Sequence, residues 1–92
     1  MSVCRITTLT MKSKEGADEL VQNYVSTAAS KFPEAEQLLQ IRADDTTVVA
    51  ISLYESTEAM KRADDARTKS IDGANDIVSV DMKVGTVELN HS

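Results

Sequence analysis

The most informative segment of this 92-residue chain is ADELVQNYVSTAASKF, residues 17–32. Its apolar side chains recur every three or four positions, which is the spacing of one face of an α-helix. They are Ala17, Leu20, Val21, Tyr24, Val25, Ala28 and Phe32. Pro33 follows directly and biases Phe32 away from helical backbone angles. The segment therefore predicts an amphipathic helix that ends near residue 32.

The sequence on either side of this helix has the composition of β-strands. The apolar and β-branched runs that predict strands are residues 3–12, 37–43, 47–54 and 77–89. The second and third runs are separated only by Asp44-Asp45-Thr46, so they form an antiparallel hairpin. In the last run the apolar residues change parity at Gly85, which predicts a bulge or bend there.

A second helix is predicted after the third strand. Ser56 or Thr57 can cap its first turn, and the helical pattern runs to about Ile71 and stops at Asp72-Gly73. The order is then strand, helix, strand, strand, helix, strand. Because crossovers between strands are right-handed, this order predicts an α+β, ferredoxin-like βαββαβ domain over residues 1–92, with two helices on one face of a four-stranded antiparallel sheet.

The charge balance excludes two classes of partner. Ten Lys and Arg against fifteen Asp and Glu give a net charge of -5, which repels nucleic acid and anionic membrane surfaces. The first residues alternate polar and apolar side chains, so neither a signal peptide nor a membrane span is predicted and a cytoplasmic location is expected. With 3% aromatic residues and no tryptophan, the chain also offers few rings for stacking on haem or bases.

The residue types that bind metals or catalyse by nucleophilic attack are scarce. Cys4 is the single cysteine, so it forms no intrachain disulfide, and it is interpreted as a small buried hydrophobe. The only histidine, His91, stands next to the last residue, where we expect neither a catalytic base nor a metal ligand. Asp44-Asp45 and Asp64-Asp65 lack a third ligand at a suitable spacing and are interpreted as solvated charges. No metal or other cofactor is therefore expected.

The face of the sheet that the helices leave uncovered should be polar, but no such row exists. The row Val49, Ile51 and Leu53 is strongly apolar, and the opposite row, interpreted as the uncovered one, still contains Val48, Ala50 and Tyr54. Because exposed apolar patches of several hundred Å² are rare on monomers, we expect a second copy to pack sheet to sheet, with the bent last strand reaching across. The alternative is a monomer with a partly apolar open sheet.

Four polar side chains are candidates for facing inward, where burial of a polar group needs a reason. They are Arg5, Tyr24, Arg42 and Tyr54. In a cavity between helices and sheet, an arginine fork or a tyrosine hydroxyl could orient a phenol, a quinone or a carboxylate. The alternative is structural: Tyr24 completes the core with its hydroxyl at the rim, and the two arginines either extend their charged ends to solvent or pair with Glu36 or Glu55.

Two segments carry a resemblance to a known family. They are VCRITTLTMKSKEGADELVQNYV, residues 3–25, and VVAISLYESTEAMKRADD, residues 48–65. Both resemble the antibiotic biosynthesis monooxygenase-like family of dimeric α+β barrels. The resemblance implies sheet-to-sheet homodimers that bind ligands in a cleft between helices and sheet.

The resemblance also implies what chemistry to expect. The haem-degrading branch of this superfamily uses a tryptophan, an asparagine on the first strand and a histidine from the second helix, and this sequence has none of these at the corresponding places. The quinone-forming branch oxidises phenols without metal or flavin, because the substrate anion itself reduces oxygen, and Arg42 and the tyrosines could serve in it. The function expected is cofactor-independent oxidation of a small aromatic or quinone-like metabolite; the alternative is a non-catalytic ligand-binding or structural dimer.

Overall fold

The computed structural model describes residues 2–64, 68 and 76–90. Its elements are β1 (Val3–Met11), α1 (Lys14–Lys31), β2 (Gln37–Arg42), β3 (Thr47–Tyr54), α2 (Thr57–Arg62) and β4 (Ile77–Thr86). The strands form one antiparallel sheet in the order β2-β3-β1-β4. This confirms the predicted ferredoxin-like fold. The predicted end of the second helix near Ile71 and the terminal His91 lie outside the described residues.

Both helices begin at a serine whose side chain caps the first turn. The Ser13 hydroxyl accepts a hydrogen bond from the Gly16 N–H at 3.0 Å, and the Ser56 hydroxyl accepts one from the Ala59 N–H at 3.2 Å. Such caps satisfy backbone donors that have no partner inside the helix. At the other end of α1 the Phe32 N–H donates to the Ala28 carbonyl at 2.8 Å, immediately before Pro33. Local signals therefore set where both helices start and where α1 stops.

The face of the sheet under the helices holds two apolar clusters. One cluster contains Leu9, Met11, Ala17 and Val48. The other contains Ala28, Phe32, Tyr54, Ala59, Met60 and Ala63. Between them, the same face carries polar or small residues in two neighbouring cross-strand pairs, Arg5 with Ser52 and Thr7 with Ala50. The core is thus divided by a polar belt.

The open face of the sheet is the strongly apolar one. It presents Val49, Ile51 and Leu53 of β3, none of them buried, beside Leu39 and Ile41 of β2, which are 43% and 44% exposed. The interpretation that the mixed row is uncovered is therefore wrong: the helices cover Val48, Ala50 and Tyr54. The covered row is the less apolar of the two because Ala50 and Ser52 belong to it and form part of the polar belt.

β4 follows β1 more regularly than its sequence predicts. The register shifts between Thr10 and Met11, and in the described pairing Gly85 lies opposite Cys4 without irregularity, so the predicted bend at Gly85 is wrong. Beyond the strand, the Val87 N–H donates to the Ser2 carbonyl at 2.9 Å. The chain therefore stays on its own sheet as far as Val87 and does not reach across at Gly85.

Neither helix in the described part of the chain has the length and apolar character needed to cross a membrane.

Candidate functional site

A cleft lies where the polar belt separates the two apolar clusters. It encloses a volume of about 40 Å³, or about 290 Å³ when the space open to solvent is included. The lining residues are Arg5, Thr7, Tyr24, Phe32, Leu38, Ala50, Ser52 and Tyr54. The space exists because the sheet contributes short side chains there, at Thr7, Ala50 and Ser52, and these do not fill the distance to α1.

Arg5 is the charged group of the cleft. It is only 5% exposed, in the middle of β1. Its Nη2 donates to the Asp64 carboxylate and, at 3.5 Å, to the Met60 carbonyl. Its Nε is buried and has no hydrogen-bond acceptor among the described residues. Because an unpaired buried N–H is costly, this atom indicates a place for an oxygen atom of a ligand or of water.

Two tyrosines complete the polar part of the lining. Tyr54 is fully buried, and Tyr24 is half-buried with its ring 6.3 Å from the Phe32 ring, centroid to centroid. Burial, and to a smaller degree the neighbouring Tyr54, raises the pKa of Tyr24 above its ordinary value of 10.0. The Tyr24 hydroxyl is therefore protonated at neutral pH and can donate a hydrogen bond.

The four predicted site residues do not share one place. Arg5, Tyr24 and Tyr54 line the cleft, and Arg42 is absent from its lining. The Arg42 guanidinium instead donates to the Asp18 carboxylate at 2.8 Å and to the carbonyls of Lys14, Asp44 and Asp45. It fastens the start of α1 to the turn between β2 and β3.

Among the described ion pairs, neither arginine has Glu36 or Glu55, the partners named in the structural alternative, as its partner. Arg5 pairs with Asp64 and Arg42 with Asp18, whereas Glu36 accepts a hydrogen bond from the Ser2 hydroxyl at 2.6 Å. Asp64 was interpreted as a solvated charge, and no sequence signal connects it with Arg5 across 59 positions. Thr7 and Ser52 were also missed as lining residues, although each stands at the same strand parity as a candidate, Arg5 or Tyr54.

A second unpartnered polar atom lies beside the cleft. Gln40 is paired in register with Ala50, and its Oε1 is buried with no donor in the described part of the chain. Cys4, in contrast, is half-buried on the open face, where burial raises the pKa of its thiol. The polar groups of interest are therefore concentrated on the helix side of the sheet.

Comparison with known proteins supports the fold. No family model matches the chain, and no curated protein matches it. Among solved structures, the monooxygenase ActVA-Orf6 of Streptomyces coelicolor, in complex with nanaomycin D, superposes with a TM-score of 0.76 at 15% identity over 99% of this chain and 91% of that one. SnoaB, a cofactor-independent oxygenase from Streptomyces nogalater, superposes with a TM-score of 0.68 at 13% identity over 97% and 95%.

A third similar structure is a dimeric ferredoxin-like protein from an uncultured marine organism, with a TM-score of 0.73 at 8% identity over 99% of this chain and 93% of that one. These similarities define the class of the chain by fold alone: it is a ferredoxin-like α+β protein, similar in fold to the two oxygenases named above. The resemblance seen in the sequence is confirmed at this level.

Proposed function

We propose that this protein is a homodimer that binds a small phenol or quinone in the cleft and oxidises the phenol without a cofactor. The observation that carries the proposal is the buried, unpartnered Arg5 Nε in a cleft with two tyrosines. A phenolic or quinone oxygen supplies the acceptor that this N–H lacks. Similar folds that are named a monooxygenase and a cofactor-independent oxygenase add support.

In the proposed reaction the protein stabilises charge and the substrate supplies the electrons. The phenol releases its proton to solvent through the open side of the cleft, and the Arg5 N–H stabilises the phenolate oxygen. The ring then reduces dioxygen. One atom of the dioxygen becomes the second carbonyl oxygen of a quinone. The other leaves as water, whose two hydrogens are equivalent to the phenolic proton and the ring hydrogen that oxygen replaces. Tyr24, protonated at neutral pH, donates to the developing carbonyl.

A second candidate is a non-catalytic ligand-binding dimer. Two observations favour it: the Arg5 charge is already balanced by Asp64, and the enclosed volume of the cleft, about 40 Å³, is far below the ~300–1,000 Å³ of common ligand sites. In this case the same groups hold the ligand and no oxygen is consumed.

The open face of the sheet supports the proposed dimer. Its apolar side chains are contiguous across β2, β3 and β1, and they include Leu39, Ile41 and Ile6 as exposed residues. Burial of such a surface against a second copy is favourable at ~25 cal/mol per Å² of apolar area. The similar marine protein is itself described as dimeric, which agrees with this assembly.

The test of the proposed function is oxygen consumption with a panel of phenols and hydroquinones, together with binding of the same compounds by calorimetry. We expect uptake by the wild type and its loss in Arg5→Met. Arg62→Met is the matched control, because Arg62 pairs with Glu34 at the surface, away from the cleft lining. Binding without uptake would establish the second candidate, and absence of binding across the panel would overturn both.

A further inference from the structure

We propose that Asp64 determines which ligands the cleft accepts, and that it favours ligands presenting a single hydroxyl or carbonyl oxygen to Arg5 over carboxylates. This inference rests on the proposed ligand site and adds its specificity. Arg5 is buried, and its Nη2 is held by the Asp64 carboxylate, whose side chain is 52% exposed. The ion pair therefore joins a buried cation to a carboxylate that is about half exposed to solvent.

The geometry of a guanidinium explains the selection. A carboxylate binds arginine best through two parallel N–H bonds, and one edge of the fork supplies them from Nε and Nη2. In this protein Nη2 donates to Asp64 and, at 3.5 Å, to the Met60 carbonyl, while the buried Nε has no acceptor in the described residues. A hydroxyl or carbonyl oxygen needs only one donor and can use Nε with Asp64 in place.

Electrostatic repulsion from Asp64 also disfavours a carboxylate ligand. A carboxylate ligand at Nε would leave its second oxygen near Asp64, and two carboxylates in a partly desolvated site repel each other. The rest of the lining carries no second cation: its other members are Thr7, Tyr24, Phe32, Leu38, Ala50, Ser52 and Tyr54. Arg5 is therefore the cation of this lining. Asp64 offsets its positive charge, so the lining attracts an incoming anion only weakly.

The test compares two ligands of nearly the same shape, 1-naphthol and 1-naphthoate, by calorimetric titration at pH 7. We expect the wild type to bind naphthol more tightly. In Asp64→Asn the amide oxygen can still accept from Nη2, but the negative charge and its repulsion are removed. Naphthoate should therefore gain about tenfold in affinity, the effect of removing one repelling charge, with naphthol changed by less than about twofold.

Two further variants make the outcome specific. Asp64→Glu keeps the carboxylate and should keep the preference for naphthol. Asp18→Asn removes an equal charge from the Arg42 pair outside the cleft lining and should leave the preference unchanged. Circular dichroism checks that each variant is folded.

The inference is overturned if the wild type binds naphthoate as tightly as naphthol, a result that does not depend on any variant, or if Asp64→Asn leaves the ratio unchanged. If neither compound binds the wild type or any variant, the ligand site itself fails and the specificity fails with it. Failure of the specificity alone is recognised because both compounds still bind.

Discussion

Tyr24 connects the sequence to the cleft because it belongs to both the helical stripe and the lining. Its apolar neighbours predict that the ring faces inward, and the structure places it half-buried between Phe32 and Tyr54. Sequence spacing cannot show how much of the hydroxyl is desolvated, since that depends on side chains from β1, β2 and β3. The raised pKa of Tyr24 is therefore a property of the folded protein.

Tyr24→Phe should change how stability depends on alkaline pH. Because burial raises the pKa of Tyr24 above 10.0, the folded state holds the phenolic proton more tightly than the unfolded state does. The contribution is complete below pH 10 and is lost as pH rises through the folded pKa. We expect the wild-type Tm to fall more steeply than that of Tyr24→Phe above pH 10, measured by circular dichroism. Parallel curves would contradict the assignment.

Arg42 was predicted to bind a ligand, but in the structure it holds two elements together. An arginine at the end of a strand was a reasonable candidate for ligand binding, but its donors are directed to Asp18 and to backbone carbonyls. The sequence does not reveal these contacts, because Asp18 is 24 positions away. Their effect is to hold α1 against the turn between β2 and β3.

Arg42→Met should therefore lower the Tm by a few degrees while ligand affinity in the cleft is unchanged. The loss should depend on pH. The hydrogen bonds from Arg42 and Lys14 lower the pKa of Asp18 below 3.8, so their contribution is present above that pH and disappears as pH falls through the folded pKa. Thermal melts at pH 7 and pH 2.5 test this: the difference between wild type and variant should shrink in acid. A difference that persists in acid would assign the stabilisation to the carbonyl contacts alone.

At the level of elements, the first turn of α1 lies close to Asp76, the residue just before β4. A Cβ built at Gly16 would lie 2.6 Å from the Asp76 carboxylate oxygen and 2.8 Å from the Asp76 Cβ. Alanine normally stabilises a helix relative to glycine, so helix propensity and packing make opposite predictions at this position. The packing term dominates, because the nearest atoms include the Cβ, which moves only with the backbone.

Gly16→Ala should destabilise the protein by about 1–3 kcal/mol, the usual cost of overpacking. Gly85→Ala is the matched control: a Cβ there meets no described atom within 4 Å, and its effect should be neutral or slightly stabilising. Urea denaturation at one protein concentration measures both. Gly16→Ala as stable as the wild type would show that Asp76 moves aside at little cost.

For the whole molecule, the open face of the sheet makes the strongest prediction about assembly. The wild type should have a mass near twice the 10.0 kDa of one chain in light scattering at micromolar concentration. Leu39→Glu places a charge on the open face and should give the mass of a single chain, because an unpaired charge cannot be buried in an apolar interface. Val25→Glu, at a 72% exposed position on α1, should remain dimeric. A wild-type mass near 10.0 kDa would contradict the dimer.

Much of the architecture was predictable from local patterns. The bounds of β3 are the predicted ones, α1 ends where Pro33 requires it, and Ser56 is one of the two predicted caps. These features depend on residues that are close in the chain, where periodicity, turn composition and capping act directly. The βαββαβ order then restricts the fold to few arrangements, of which the ferredoxin-like sheet is the one observed.

The site required contacts between distant parts of the chain. Alternation along β3 defines two faces, but which face the helices cover depends on how α1 and α2 pack, and they cover the row that contains Ala50, Ser52 and Tyr54. The pairing of Arg5 with Asp64 likewise joins the centre of β1 to the residues just after α2. Strand and helix periods are local properties of the chain, whereas burial, ion pairing and the cleft arise only when separate elements pack together, because each depends on atoms that the sequence places far apart.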